Sequence, residues 1–501
     1  MPIHLSLRPI EPNSPEIEQF DPQRFAECIG NVETQFGITP SRELLSRIHS
    51  LNGTRVRIAL RQDLNERVHD LLKGTVPHLE AQLFNLNVPL SPEKRALFNL
   101  ADDLLAALIT SYKIQLKDQS RRLFGLASSG RAVLPVQRMM SLISRRICLS
   151  YRAYSSAPKG AWHELHDLHN FATRRGVAAR VLNESSQSPA SIYKRALLLA
   201  FSDPLRFTSD DLEFALELID RHADRAEFTP AKAAGEIEPA FLIKPHRDQA
   251  GSAYSSSQAV NLHPSDFLLN VGEVAKALLQ GATEGRVDAQ DLNSPASIGR
   301  SRRDAIVALL ARQWAAAAAP SRQLNRLKTQ AHVGIQIGLS EIWAFLNKTT
   351  GVENSSARWL VTNESPRGFA LTHASGPVAQ VRVGEVVGVF APNNPGCHIC
   401  VVRWTLSDNP AHIEIGLQEI APSARAANVR RMTTESPAEP ALLLTDASAS
   451  QNDPIVVTSV TKLDSMCELT VGELDAKVRL QPNRIVERMA TTQLVQFSSV
   501  S

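Results

Sequence analysis

Five cysteines in 501 residues are too few, and too widely scattered, for a disulfide framework. That usage fits a reducing compartment, and the cytoplasm is the expected location. Long apolar runs are missing as well: no stretch approaches the ~18 residues that a membrane span requires. The amino terminus, MPIHLSLRPIEPNSPEIEQF, has neither the basic n-region nor the apolar h-region of a signal peptide. Nor is there a surplus of charge. The 54 Lys and Arg nearly balance the 51 Asp and Glu, a net +3, which argues against broad nucleic-acid binding and its basic surface. RSRR at 300–303 is a local basic run and reads as a solvated helix start. Catalytic signatures are also lacking: no G-x-S-x-G elbow, no P-loop, no G-x-G-x-x-G after a strand. The carboxylate pairs Asp102–Asp103 and Asp210–Asp211 fall in helical contexts, where dipole and solvent account for them. No enzymatic activity and no cofactor are expected.

What is present is a soluble globular composition, 43% apolar and 21% charged, in a chain long enough for about two to four domains. Two rhythms divide it. Residues 1–20 form a flexible tail, and helical spacing dominates 21–320. Leu97, Leu100, Leu104 and Leu108 make one buried stripe. Thr208 or Ser209 is placed to cap a helix with Asp210 and Asp211 in its first turn, and Gly281 to end another. AFLIKPHRDQAGSAYSSSQAV (240–260) predicts a brief strand and a Ser/Gly loop, so that the loop near 245–260 allows two subdomains. The alanine run 315–319 continues a helix that Pro320 stops.

After Pro320 the period becomes two. HVGIQIGL, RWLVT, FALTHA, EVVGVFA, CHICVVRWTL and AHIEIGL read as short strands of a small antiparallel barrel or sandwich over 321–430. TTESPAEPA (433–441) marks a linker, placed at 431–440. A β-rich unit, 441–501, follows, with QPN as a hairpin turn. The expected class is therefore α+β multidomain: an all-α helical region, a small antiparallel β-barrel and a β-rich C-terminal unit.

Two clusters invite a metal reading. His163, His166 and His169 in AWHELHDLHNFA lack the H-E-x-x-H spacing, and at steps of three they spread over roughly 120° of a helix. Cys397 and Cys400 point to opposite faces of a strand and have no second pair, so they read as packing residues. No metal is expected.

The stretch NESPRGFAL, 363–371, carries more. Asn363 favours a turn, and Gly368 permits positive φ or close backbone approach. Just upstream, Arg322 and Arg326 in SRQLNR put two guanidinium groups between the last helix and the first strand. Such a pair suits an anionic, purine-bearing ligand, because guanidinium binds phosphate bidentately, stacks on a base, or bridges guanine O6 and N7. Asn363 offers donor and acceptor to a base edge, and Ser365 a hydroxyl.

RxxxR before a small barrel and [DN]xSxxG after a strand resemble the PilZ domain, a bacterial receptor for cyclic di-GMP. VRVGEVVGVF, CVVRWTL and HIEIGLQEI resemble that family's later strands, over about 320–425. The resemblance implies that Arg322 and Arg326 clamp phosphates and stack on guanine, while Asn363, Ser365 and Gly368 hold a guanine from the barrel face. The 37 positions from Arg326 to Asn363 exceed the usual gap, and NKTTGVENSSA (347–357) reads as an inserted loop that would gate binding if it covered the ligand. The expected function is a cyclic di-GMP receptor that couples binding at the helix–barrel junction to domain rearrangement, with output through an unidentified protein partner of the helical region. The alternative is a nucleotide-independent interaction scaffold. Helical surfaces of this extent would also support a homodimer.

Overall fold

The computed structural model describes residues 21–122, 129–182, 187–231, 239–255, 262–284, 295–315, 331–347, 357–365, 368–390, 396–432, 437–445, 454–459, 466–471 and 476–499. They fall into two units: one from Met1–Asn85, Leu90–Pro204 and Ser209–Ser321, the other from Leu86–Pro89, Leu205–Thr208 and Arg322–Ser501.

The first unit runs through α1 (Pro22–Thr34), α2 (Ile38–Gly53), α3 (Ile58–Ala81), α4 (Pro92–Arg122), α5 (Ser129–Arg152), α6 (Ala161–Arg174), α7 (Pro189–Phe201) and α8 (Ser209–His222). It continues through β1 (Glu227–Pro230), β2 (Ala240–Ile243), β3 (Ser252–Ala253), β4 (Phe267–Asn270), α9 (Gly272–Glu284) and α10 (Pro295–Ala315). Local chemistry sets these starts. Asp21 accepts from the Gln23 and Arg24 amides, and Pro22 takes the first helical turn, where its missing N–H costs nothing. The predicted stripe Leu97, Leu100, Leu104 and Leu108 on α4 is buried. Polar residues close the interhelical seams. Arg138 bonds Glu66 at 2.8 Å, and Arg146 grips Asp102 through Nε and Nη2 at 2.7 and 2.8 Å. Asp211 is held the same way by Arg302, at 2.6 and 2.9 Å. These two acids are thus partnered by arginines rather than left to dipole and solvent, and Arg302 of the RSRR run lies inside α10, not at its start.

The region is not purely helical. β1–β4 form an antiparallel sheet in the order β1-β4-β2-β3, of which the sequence disclosed only a brief strand. AFLI and FLLN are four-residue apolar runs, too short for periodicity to separate from a helical turn. Gly281 lies within α9, which continues to Glu284. One glycine costs a helix only about 1 kcal/mol and need not end it.

The second unit contains β5 (His332–Ile337), α11 (Leu339–Asn347), β6 (Arg358–Ser365), β7 (Gly368–Ser375), β8 (Val386–Phe390), β9 (Cys397–Asn409) and β10 (His412–Ala421). Then come β11 (Ser423–Arg431), β12 (Glu439–Thr445), β13 (Ile455–Thr458), β14 (Cys467–Val471), β15 (Ala476–Arg488) and β16 (Gln493–Ser499). They close into two six-stranded antiparallel barrels, β10-β7-β6-β5-β8-β9 and β11-β12-β13-β16-β15-β14.

Four local readings change here. Gly338, at φ +88°, turns the chain out of β5, so Leu339 opens α11 instead of extending the alternation. The predicted linker falls inside the second barrel, between β11 and β12, which pair from Ser423↔Thr445 to Val429↔Glu439; 433–436 lie outside the described residues. The first barrel accordingly ends at Ala421. QPN makes no hairpin turn, because β15 passes straight through it with a register shift between Pro482 and Arg484. Pro482 lies beyond the last β14 pair, at Leu480, where it needs to serve only one neighbouring strand.

α11 joins the two barrels. Leu339 and Ile342 are buried with Val386, Cys397 and Ile399 of the first barrel and with Leu442, Leu444, Val457 and Leu494 of the second. The Trp343 indole donates to the Ala427 carbonyl at 2.8 Å. Among the described residues, no helix is long and apolar enough to cross a membrane.

Candidate functional site

The β6–β7 hairpin carries three of the five predicted ligand residues. Asn363 and Ser365 belong to β6 itself rather than to a turn, and Ser365 pairs with Gly368, the first residue of β7. Pro366 and Arg367, between them, lie outside the described residues, as does the Ser365 side chain. Arg322, Arg326 and most of the NKTTGVENSSA stretch also lie outside them.

A bulge re-aims the end of β6. The register shifts between Val361 and Asn363, so Thr362 is the extra residue and Asn363 faces Ala370 across the ladder. The exposed Thr362 hydroxyl donates to the Ala370 carbonyl at 3.1 Å. Asn363 is left half-buried. Gly368 is fixed by a different constraint. It pairs with Gln418 of β10, and a Cβ there would lie 2.0 Å from the Leu417 carbonyl oxygen. The strand demands glycine whatever binds outside.

Next to the hairpin, β9 and β10 explain two further motifs. Trp404 and Gly416 are cross-strand partners, and a Cβ on Gly416 would fall 1.8 Å from the indole Nε1. The tryptophan therefore covers the glycine. Arg403 donates through Nε to Gln418 Oε1 at 2.7 Å, and through Nη2 to Glu487 of the second barrel at 2.8 Å. Sequence reasoning missed that role, because Glu487 is 84 positions away. On the same sheet His398 and Glu419 meet at 3.0 Å, with Phe369 edge-on to the imidazole.

The other two clusters form no site. Cys397 and Cys400 are buried free thiols on opposite faces of β9; burial pushes Cys397 up to about 12 and Cys400 higher still. Thiols so far from the thiolate form are packing residues. The histidine trio on α6 is split by its surroundings. His163 is exposed, with Asp167 at 3.8 Å. His166 is buried between the Tyr193 hydroxyl at Nδ1 (2.5 Å) and the Gln249 carbonyl at Nε2 (3.0 Å). A carbonyl only accepts, so Nε2 carries the proton and Nδ1 accepts from tyrosine, which leaves no lone pair for a metal. His169 stacks on Tyr193, with centroids 4.3 Å apart. Burial pulls both His166 and His169 down to about 4.

Comparison with known proteins agrees with this architecture. Residues 35–233 match the family described as the N-terminal domain of cyclic-di-GMP receptor FimW, and residues 347–426 match the middle PilZ domain of the same receptor. The second match begins after Arg322 and Arg326. The cyclic-di-GMP receptor FimW of Pseudomonas aeruginosa strain PAO1 is 22% identical over an alignment of 533 residues, covering 91% of this chain and 86% of the relative. No solved structure matches the chain significantly.

Proposed function

We propose that the chain is a receptor for cyclic di-GMP, because residues 347–426 match the PilZ domain of such a receptor. In this reading Arg322 and Arg326 clamp the phosphates and stack on guanine, while Asn363, Ser365 and Gly368 present the β6–β7 hairpin to a guanine edge. The supporting observation is the placement of N-x-S-x-x-G on two paired strands of a closed barrel, inside the stretch that matches the PilZ domain of a cyclic-di-GMP receptor. Asn363, half-buried beside the bulge at Thr362, is further support.

Calorimetric titration with cyclic di-GMP, and with GTP as control, tests this. Arg322→Ala and Arg326→Ala should each remove a charge-assisted contact of about 1.5–3 kcal/mol, roughly ten- to a hundredfold in affinity. Asn363→Ala should cost about 1 kcal/mol. Unchanged binding in both arginine variants would remove the site. The segment between α10 and β5 holds both arginines, so a ligand bound there would bias how helices and barrel dock, by its differential affinity for the two arrangements. Output would then pass to a protein partner of the helical region. Superimposable small-angle scattering with and without cyclic di-GMP would defeat that coupling.

A second reading, a scaffold that binds no nucleotide, is favoured by Gly368: its backbone contact with Leu417 would preserve the motif's glycine without any ligand. Absence of heat and of competition in the same titration selects it.

A further inference from the structure

At one end of the β1–β4 sheet, two loops converge. β2 and β4 pair as far as Ile243↔Phe267. The chain leaves β2 through a turn closed by the Arg247 amide on the Lys244 carbonyl (2.9 Å), which carries His246. It enters β4 through His263-Pro264-Ser265-Asp266, folded so that the Asp266 amide meets the His263 carbonyl at 2.9 Å. His246, His263 and Asp266 each place one potential ligand atom within 4.8 Å of the other two. The two imidazole rings are 5.6 Å apart.

Asp266 is the unusual member. Its side chain is 1% exposed, and the two carboxylate oxygens differ. Oδ2 accepts from the His263 backbone amide at 2.9 Å. Oδ1 is buried with no hydrogen-bond partner, and the nearest cationic candidate, His246 Nδ1, is 3.7 Å away, beyond hydrogen-bond reach. A buried carboxylate oxygen left in that state is costly unless a cation answers it. His263 is already oriented. Its Nδ1 accepts from the Ser265 amide at 3.2 Å and lies 2.6 Å from the Ser265 Oγ, and no described residue bonds Nε2. A backbone amide only donates, so Nδ1 is an acceptor and Nε2 carries the proton in the metal-free chain. A cation at Nε2 requires the other tautomer, with Nδ1–H given to the Ser265 hydroxyl, the kind of support that ligating imidazoles ordinarily receive. His246, about half exposed, leaves one side of the cluster open to water.

We propose that His246, His263 and Asp266 form a binding site for a borderline divalent cation, Zn²⁺ above all, with solvent as the fourth ligand. Two imidazoles and one carboxylate suit zinc and its first-row neighbours, whereas magnesium prefers an all-oxygen shell. The loop holding His246 also carries Asp248, whose carboxylate accepts from the Gly160 and His163 amides at the start of α6, and Gln249, whose carbonyl holds His166. A bound cation therefore ties that loop to β4 and steadies α6.

The test uses the full chain, stripped with a chelator and dialysed, then titrated with Zn²⁺ against a chromophoric competitor. About one equivalent should bind, the melting temperature of the helical unit should rise with free zinc, and Mg²⁺ should not compete. His246→Ala, a change at a half-exposed position, should weaken zinc at least about tenfold, and His263→Ala likewise. His163→Ala, an exposed histidine of α6, should leave binding unchanged. Substoichiometric zinc, or equal affinity in wild type and in both cluster variants, would overturn the proposal, as would competition by Mg²⁺.

Discussion

Gly368 and Gly416 answer to the chain itself before they answer to any ligand, but against neighbours of different rigidity. The atom that a Gly368 Cβ would strike is the Leu417 backbone carbonyl, held in the ladder between β7 and β10. A Gly416 Cβ would strike the end of an indole, which can swing on its own torsions. Gly368→Ala should therefore destabilise the first barrel by about 2–3 kcal/mol, with Gly416→Ala costing less. Denaturant unfolding of the ligand-free chain measures both, and a Gly368→Ala midpoint equal to wild type would disprove the backbone constraint. Sequence spacing singled out Gly368, but its reason lies 49 positions downstream at Leu417, visible only once β10 is laid beside β7. Arg403 was opaque for the same cause: its partner Glu487 belongs to another barrel.

Folding changes the chemistry of α6 at two of its three histidines. Its period was legible, and so was its helical state, yet which histidines would be buried depended on Tyr193, Phe228 and Phe267 arriving from α7, β1 and β4. His166 and His169 stay neutral in the folded state because burial lowers each to about 4. An unfolded chain takes up those protons near pH 6.5, so stability is full above that pH and declines as pH falls from about 6.5 towards 4. Each histidine carries up to about 3 kcal/mol of this dependence; the two repel when charged, so their effects do not simply add. His169→Phe keeps an aromatic ring beside Tyr193 and removes one titrating group. Its urea midpoint should fall less than that of wild type between pH 7 and pH 4.5, and parallel curves would show that His169 is not part of the acid response. Elements without such a distinctive period were harder to read. α11 is nine residues of apolar-rich sequence appended to a strand, and β15 carries a proline that imitates a turn until its missing β14 partner is seen.

For the whole chain, the change from helical to alternating periodicity after Pro320 marked the division into two regimes, and all five strands expected after HVGIQIGL in the first barrel are present as β6–β10. The second barrel was legible only as scattered strands. β11 escaped because SARAANVRR is rich in alanine and arginine rather than in strand-forming residues, β12 because its start falls in the linker-like TTESPAEPA, and β14 because it has only five residues; closure is a property of pairing that no single strand carries. Closure also makes the two barrels interdependent. The face of the first barrel lined by Val386, Cys397 and Ile399 is covered by α11 and by Leu442, Leu444, Val457 and Leu494 of the second. Each fully buried aliphatic side chain there is worth about 1.5–3 kcal/mol, whereas the partly exposed Arg403–Glu487 pair bridging the same barrels contributes about 1 kcal/mol at most. Glu487→Ala should accordingly leave the melting temperature nearly unchanged. A chain ending at Pro422, just before β11, should instead lose the cooperative unfolding of its first barrel, bind a hydrophobic dye, and lose any cyclic di-GMP binding that the full chain shows, even though the β6–β7 hairpin is intact in sequence. If that shortened chain melted like the full one, the apolar seam would be incidental contact, and the first barrel would be a self-sufficient domain.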